Sequence, residues 1–139
     1  MRRLYTFFLY LATPLILLRL FWKGKKLKSY RKRINERFMV GLKPKKVDIW
    51  LHAVSLGEVV AATPLIKVLL DKGFSILITT MTPTGSQRVV EQFGATVQHQ
   101  YLPYDLPFIL RQFFKQYAPQ LGLIMETELW PNLIHQARL

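Results

Sequence analysis

The sequence contains no cysteine, which excludes disulfides and metal sites built from thiolates. It also lacks an Asp-x-Asp pair, because Asp48, Asp71 and Asp105 each stand alone, and this argues against a metal-dependent glycosyltransferase. The three histidines are scattered without metal-ligand spacing. Neither a G-x-G-x-x-G string nor a P-loop is present, so dinucleotide and nucleoside-triphosphate binding have no motif to support them. We therefore predict neither a metal nor a cofactor.

Acidic residues are few and unevenly placed. The chain has 20 Lys and Arg residues but 8 Asp and Glu residues, and its net charge is +12. Residues 1–46 hold fourteen of the basic residues and one acidic residue, Glu36, whereas residues 47–139 are close to neutral. A nucleic-acid-binding protein usually spreads its basic residues over the folded surface that contacts phosphate. Here they flank an apolar stretch, which favours membrane lipids as the partner and argues against nucleic acid.

The first 22 residues are predicted to form a membrane-anchor helix. From residue 4 to residue 22 the only charged residue is Arg19. A helix of that length measures about 28 Å, close to the hydrocarbon thickness of a bilayer, so it could span the membrane or lie deeply in one leaflet. Pro14 would kink the helix. A cleavable signal peptide is the alternative, but Phe21 and Trp22 offer no small-residue cleavage site.

A basic segment is predicted to follow the anchor over residues 23–46. Basic residues next to an apolar helix are attracted to anionic lipid, by about 1 kcal/mol each. The positive-inside rule then places the rest of the chain on the cytoplasmic side of the membrane. A solvated helix face is the alternative interpretation of the same residues. The basic residues that crowd the start of this segment are Lys23, Lys25, Lys26, Lys28, Arg31, Lys32, Arg33 and Arg37.

The remaining residues, 47–139, predict an α/β domain. Apolar runs rich in β-formers alternate with helical stretches and short links, which is typical of a Rossmann-like parallel sheet with helices on both faces. The third strand is shorter and more polar, so we place it nearer the edge of the sheet. The predicted strands are 47–54, 74–80, 96–102 and 121–125, and the predicted helices are 58–71, one that ends at Phe93, 106–117 and 129–139.

Polar loops follow three of these strands, at the edge where open α/β sheets bind ligands. Glu58, after the first strand, can serve the dipole of the helix that it begins or act as a general base. Glu126, after the fourth strand, could hold a reacting group or tune the base, whereas Glu128 could simply cap the next helix. The third segment, Thr82-Pro83-Thr84-Gly85, could bind an anion or form a plain helix cap.

Four strings in register carry a resemblance to one family. Read in order, they look like the successive motifs of the Kdo (3-deoxy-D-manno-octulosonic acid) transferases of lipopolysaccharide synthesis. The apolar leader and the stretches Tyr30-Arg31-Lys32-Arg33 and Glu36-Arg37-Phe38 that follow it also resemble the start of that family. The four strings are His52-Ala53-Val54-Ser55-Leu56-Gly57-Glu58, Thr79-Thr80-Met81-Thr82-Pro83-Thr84-Gly85, Tyr101-Leu102-Pro103-Tyr104-Asp105-Leu106-Pro107 and Met125-Glu126-Thr127-Glu128-Leu129-Trp130-Pro131-Asn132.

The resemblance implies a GT-B glycosyltransferase, with an N-terminal Rossmann-like domain for the acceptor and a C-terminal one for CMP-Kdo. By that analogy, Glu58 deprotonates the 6′-hydroxyl of the lipid A precursor, which attacks the anomeric carbon of Kdo with inversion. Glu126 matches the position that supports the transition state. Ser55, Gly57, Thr82, Thr84 and Gly85 are the substrate-binding candidates on the same motifs. The membrane anchor would bring the domain to an acceptor that lies in the inner leaflet.

The sequence stops at Leu139, inside a predicted helix, and no segment resembles the donor domain. We therefore expect an N-terminal fragment of a longer enzyme that does not transfer Kdo by itself. The alternative is a non-catalytic, membrane-attached module that binds the lipid A precursor without turning it over.

Overall fold

The computed structural model describes residues 1–26 and 33–138, and its centre is a parallel sheet of four strands. The strands are β1 (Ile49–His52), β2 (Ile76–Thr80), β3 (Gln98–Tyr101) and β4 (Leu121–Ile124). Their order across the sheet is β3-β2-β1-β4, and β1 pairs with both β2 and β4. The predicted α/β class, all four strands and the edge position of β3 are confirmed.

Helices follow the strands in strict alternation, as the sequence pattern predicted. They are α2 (Leu56–Asp71), α3 (Pro83–Phe93), α4 (Pro107–Tyr117) and α5 (Pro131–Ala137). The last three each begin with proline, which has no backbone N–H to leave unsatisfied in the first turn. Pro64 does not interrupt α2, which runs from Leu56 without a break.

The two faces of the sheet are buried by different helix pairs. Because side chains alternate along a strand, Ile49 and Leu51 point to one face and Trp50 to the other. The first face packs against α2 and α3 through residues such as Ile66 and Val89. The second packs against α4 and α5, where Phe113 and Leu133 are the fully buried contributors. This two-sided burial leaves the carboxyl ends of the strands as the edge available to ligands.

The leader forms helix α1 (Arg2–Lys26), whose first turns dock on the domain. Arg2 and Thr6 hydrogen-bond the Asn132 side chain at the start of α5, and Leu9 packs against the α4–α5 core. Tyr5 hydrogen-bonds the carboxylate of Asp105. By length and hydropathy, neither α1 nor any other helix in the described part of the chain qualifies as a bilayer-crossing helix. The spanning form of the predicted anchor is therefore unsupported.

A short 3₁₀ turn, Ile34–Phe38, connects the leader to β1. Met39 follows it in a left-handed conformation and is buried in the α4–α5 core. The side chains of Glu36 and Arg37 are also buried, although the sequence predicted them to belong to a lipid-facing basic segment. Lys28, Arg31 and Lys32 of that predicted segment lie outside the described residues.

Candidate active site

Glu58 is held by two hydrogen bonds at the carboxyl end of the central strand β1. It occupies the third position of α2, and its carboxylate turns back toward the residues before the helix. The Val54 N–H donates to Oε2 at 2.7 Å, and the Ser55 hydroxyl donates to Oε1 at 2.9 Å. A carboxylate has about four acceptor sites, so Glu58 keeps capacity for a further hydrogen bond. The carboxylate is therefore tied to the two residues that precede α2, and it remains half-exposed for chemistry.

The loop after β2 lies directly against the loop after β1. The backbone N–H groups of Met81 and Thr82 both donate to the Val54 carbonyl, at 3.0 and 3.2 Å. Thr82 also caps α3, because its hydroxyl accepts from the Gly85 N–H at 3.1 Å. A Cβ on Gly85 would lie 3.1 Å from the Ser55 carbonyl carbon. The two predicted substrate-binding motifs are thus in contact.

The remaining substrate-binding candidates are more open. Thr84 is exposed, with its hydroxyl 3.4 Å from that of Thr82. Gly57 lies in the first turn of α2, and a Cβ built there would meet nothing within 4 Å. Ser55 is half-buried by its bond to Glu58. The structure therefore places the Ser55 hydroxyl against Glu58 and leaves an open approach over Gly57.

The loop after β4 carries the other two acidic residues. Glu126 is exposed and has φ 63°, a left-handed conformation that is uncommon for a residue with a side chain. Such strain clusters at functional positions. Glu128 accepts a hydrogen bond from the Trp130 ring N–H at 2.6 Å. The first N–H groups of α5 are instead satisfied by Asp105, so the expectation that Glu128 caps that helix is wrong.

His52 is a residue of this edge that the sequence left as an ordinary packed histidine. It ends β1, its side chain is fully buried, and its Nδ1 lies 2.9 Å from the Thr79 hydroxyl. Within the described part of the chain, its Nε2 has no hydrogen-bond partner. Burial lowers the pKa of His52, while the Thr79 carbonyl and then Glu128 and Glu58 act in the opposite direction. The neutral imidazole thus lies within the field of two carboxylates of the edge.

Arg33 and Arg37 also reach this region, a placement that the sequence did not indicate. Arg33 bonds Glu36, the Ser86 hydroxyl at 2.8 Å and His99 Nδ1 at 3.1 Å. Arg37 Nη2 donates to the Met81 carbonyl at 2.9 Å. Burial and then Arg33 lower the pKa of His99 to about 3. A basic run in sequence gives no signal for the contacts with Ser86, His99 and Met81, since these partners are 44 or more positions away.

Together these loops provide carboxylates, hydroxyl groups and backbone N–H groups at one edge of the sheet. This set can accept a proton from a substrate hydroxyl and orient a polar substrate. Among the described residues, no three His, Asp or Glu side chains are grouped as metal ligands. The arrangement fits a reaction in which the protein itself supplies the base.

Comparison with known proteins gives a consistent result. Residues 32–139 match the family described as 3-deoxy-D-manno-octulosonic-acid transferase (Kdo transferase). The 3-deoxy-D-manno-octulosonic acid transferase of Haemophilus influenzae is 46% identical over 140 residues, which cover 97% of this chain and 33% of the relative. That of Bordetella pertussis is 45% identical over 100 residues, covering 68% of this chain and 23% of the relative.

A more distant relative is the probable mitochondrial 3-deoxy-D-manno-octulosonic acid transferase of Arabidopsis thaliana. It is 37% identical over 139 residues, which cover 97% of this chain and 31% of the relative. The chain therefore spans about a third or less of the length of these three relatives. The family match includes every motif at the candidate site. On this evidence the chain belongs to the Kdo transferase family.

Proposed function

We propose that this chain is the acceptor-binding part of a GT-B glycosyltransferase that moves Kdo from CMP-Kdo to the lipid A precursor. Family membership supports the transfer of Kdo, and the strand order β3-β2-β1-β4 suits one Rossmann-like half of such an enzyme. CMP-Kdo binding is assigned to sequence outside this chain, since the relatives are about three times as long. The 139-residue chain alone is therefore proposed to be inactive.

Glu58 is the proposed general base. It takes the proton of the acceptor's 6′-hydroxyl, and the oxygen forms a bond to the anomeric carbon of Kdo. The bond from that carbon to the CMP oxygen breaks, CMP leaves with the electron pair, and the configuration inverts. The observation that carries this proposal is the fixed carboxylate at the end of β1, oriented by Val54 and Ser55. A base held in one orientation avoids the cost of ordering it during the reaction.

The other site residues receive roles that follow from their positions. Glu126, on the strained loop after the neighbouring strand β4, is proposed to support the transition state. The acceptor is proposed to approach over Gly57, where space is open, and to contact the hydroxyls of Ser55, Thr82 and Thr84. Gly85 contributes by allowing the α3 N-terminus to approach the Ser55 backbone. No metal or cofactor is invoked.

Helix α1 is proposed to attach the domain to the cytoplasmic face of the inner membrane by lying in the interface. Its support is a set of apolar side chains that no part of the described domain covers. These include Leu11, Leu15, Leu18 and Trp22, each at least 60% exposed. Long apolar side chains on one helix bind a bilayer interface in proportion to the area they bury. Attachment would bring the site to an acceptor embedded in the same membrane.

The proposal is tested by Glu58→Gln in the full-length protein, assayed for transfer of Kdo from CMP-Kdo to the lipid A precursor. Removal of a general base should lower kcat by roughly 10²–10⁴-fold while acceptor binding persists. Glu91→Gln, which changes an exposed carboxylate on α3, is the matched control and should keep full activity. A fully active Glu58→Gln variant would contradict the proposed base. Acceptor binding without transfer by the wild-type protein would instead favour the non-catalytic module.

A further inference from the structure

Arg37 is a buried cation fixed from several sides. Its side chain is 5% exposed. Its guanidinium lies over the Tyr101 ring, 4.5 Å from the centroid, and 5.8 Å from that of Tyr104. Its carbonyl accepts from the Tyr104 N–H at 3.1 Å, so backbone and side chain are both tied to the segment after β3. A guanidinium held in this way can fix the position of whatever it hydrogen-bonds.

That guanidinium begins a continuous line of hydrogen bonds to Glu58. Arg37 Nη2 donates to the Met81 carbonyl at 2.9 Å. The Met81 N–H donates to the Val54 carbonyl at 3.0 Å. The Val54 N–H donates to Glu58 Oε2 at 2.7 Å. Only the backbones of Met81 and Val54 lie between the arginine and the carboxylate.

We infer that Arg37 is a positioning residue that sets the orientation of the Glu58 carboxylate through Met81 and Val54. The inference rests on the proposed function of Glu58. In this role Arg37 acts on the carboxylate through the backbones of Met81 and Val54. Its effect comes from holding the loop after β2 against the loop after β1, so that the Val54 N–H points at the carboxylate. A shift of that N–H changes the geometry of the base, to which catalysis is sensitive.

Arg33 provides a matched comparison. It flanks the same 3₁₀ turn, its guanidinium also stacks on Tyr101, and it bonds Ser86 and His99. None of these bonds reaches Met81 or Val54. Loss of Arg33 should therefore loosen the turn as much as loss of Arg37 does, without acting on the line to Glu58.

The experiment compares Arg37→Met, Arg37→Lys and Arg33→Met in the full-length protein. Arg37→Met is expected to lower kcat roughly tenfold or more, with the acceptor KM within about twofold of wild type. Arg37→Lys, which keeps a donor for the Met81 carbonyl, should recover most of the loss. Arg33→Met should stay within about threefold of wild-type kcat. Equal losses for Arg33→Met and Arg37→Met, or an unchanged kcat in Arg37→Met, would overturn the inference.

A second readout separates this inference from the proposed chemistry. Amide hydrogen exchange at Val54, measured without substrate, should be faster in Arg37→Met than in Arg33→Met, because its hydrogen bond to Glu58 is weakened. In a double-mutant cycle, Arg37→Met should add no further loss of kcat to Glu58→Gln. An active Glu58→Gln variant overturns the proposed base. An inactive Glu58→Gln variant with unchanged Val54 exchange in Arg37→Met overturns the positioning role alone.

Discussion

At the scale of single residues, the contacts of His99 determine its protonation state. Its ring lies between Arg33, which precedes the 3₁₀ turn, and Thr80 of β2. Arginine has donors only, so the nitrogen facing Arg33, Nδ1, must accept. The other nitrogen, Nε2, then carries the proton and donates to the Thr80 hydroxyl at 3.1 Å. A second proton on Nδ1 would give the ring a positive charge and would place two N–H donors, one from each side chain, against each other. This geometry agrees with the low pKa of His99, about 3. Burial is the larger cause of this lowered pKa, and the charge of Arg33 is the smaller one.

The pH dependence of stability follows from that low pKa. In the unfolded chain His99 titrates near its ordinary pKa of about 6.5, so below that pH the unfolded state binds more protons. The free energy of unfolding therefore falls as the pH is lowered from about 6.5 towards 3. Between pH 7 and pH 5 we expect His99 to account for roughly 1–2 kcal/mol of the decrease.

His99→Gln is the variant that isolates this effect, because its amide can accept from Arg33 and donate to Thr80 without titrating. Urea unfolding at pH 7 and pH 5 should show a smaller decrease in the variant than in the wild type. The buried His52 and the carboxylates are common to both proteins and cancel in the comparison. The same decrease in both proteins would show that His99 is not the source.

Individual residues of the site differ in how far the sequence could predict them. The positions of Glu58 and Thr82 were predictable, because an acidic residue in the first turn and a threonine N-cap are local signatures of a helix start. The contacts of Arg37 and His52 were not predictable, since Met81 lies in the loop after β2 and Thr79 in β2 itself, both distant in sequence. Asp105 was missed as the cap of α5 because it lies 27 residues before the N–H that it accepts from.

At the scale of elements, two glycines at the start of α2 and α3 differ in the space around them. Gly85 lies against the Ser55 backbone and the Thr82 hydroxyl, both 3.1 Å from a built Cβ. A Cβ built on Gly57 would instead have no atom within 4 Å. Packing between the two loops therefore requires glycine at position 85. Packing does not require glycine at position 57, where the open space could instead accommodate a ligand.

A pair of alanine substitutions measures this difference. Gly85→Ala should lower the free energy of unfolding by roughly 1–3 kcal/mol, because the loop backbone must move. Gly57→Ala should leave stability unchanged or raise it by up to about 0.5 kcal/mol, since alanine suits a helix better. If the acceptor approaches over Gly57, the same variant should raise the acceptor KM. An unchanged KM would contradict that approach.

The elements themselves were largely predictable from periodicity. Apolar runs such as 76–80 are too short and too rich in β-branched residues for helices, and the proline and glycine positions set the helix ends. The Ile34–Phe38 turn was not predictable in this way. It lies within a basic stretch of sequence, and its conformation depends on contacts with β3 and with the loop after β2.

At the scale of the whole molecule, the exposed apolar side chains of α1 predict binding to a membrane interface. Leu11, Leu15 and Leu18 recur at the spacing of one helix face. Their replacement by Gln should weaken binding to vesicles that contain anionic lipid by at least about tenfold, because each buried leucine contributes roughly 1–2 kcal/mol. Cosedimentation of the full-length protein with such vesicles measures the effect.

The matched control is replacement of Val60, Leu65 and Val68 by Gln. These residues are also exposed, at 43–50% against 60–68% for the three leucines, but they lie on α2 in the globular domain. The control should bind vesicles as the wild type does. Equal weakening in both triple variants would mean that the interaction depends on general surface hydrophobicity and not on α1.

The burial of Arg37 and Met39 has a practical consequence for preparing the protein without its leader. Both residues precede β1 by about ten positions, yet Met39 is 3% exposed and packs within the α4–α5 core. The family match likewise begins at residue 32, before the 3₁₀ turn. A truncation that starts at the first strand would open a cavity in the core and release the loop beside Glu58. A truncation that keeps residue 33 onward removes α1 but retains the buried Arg37 and Met39.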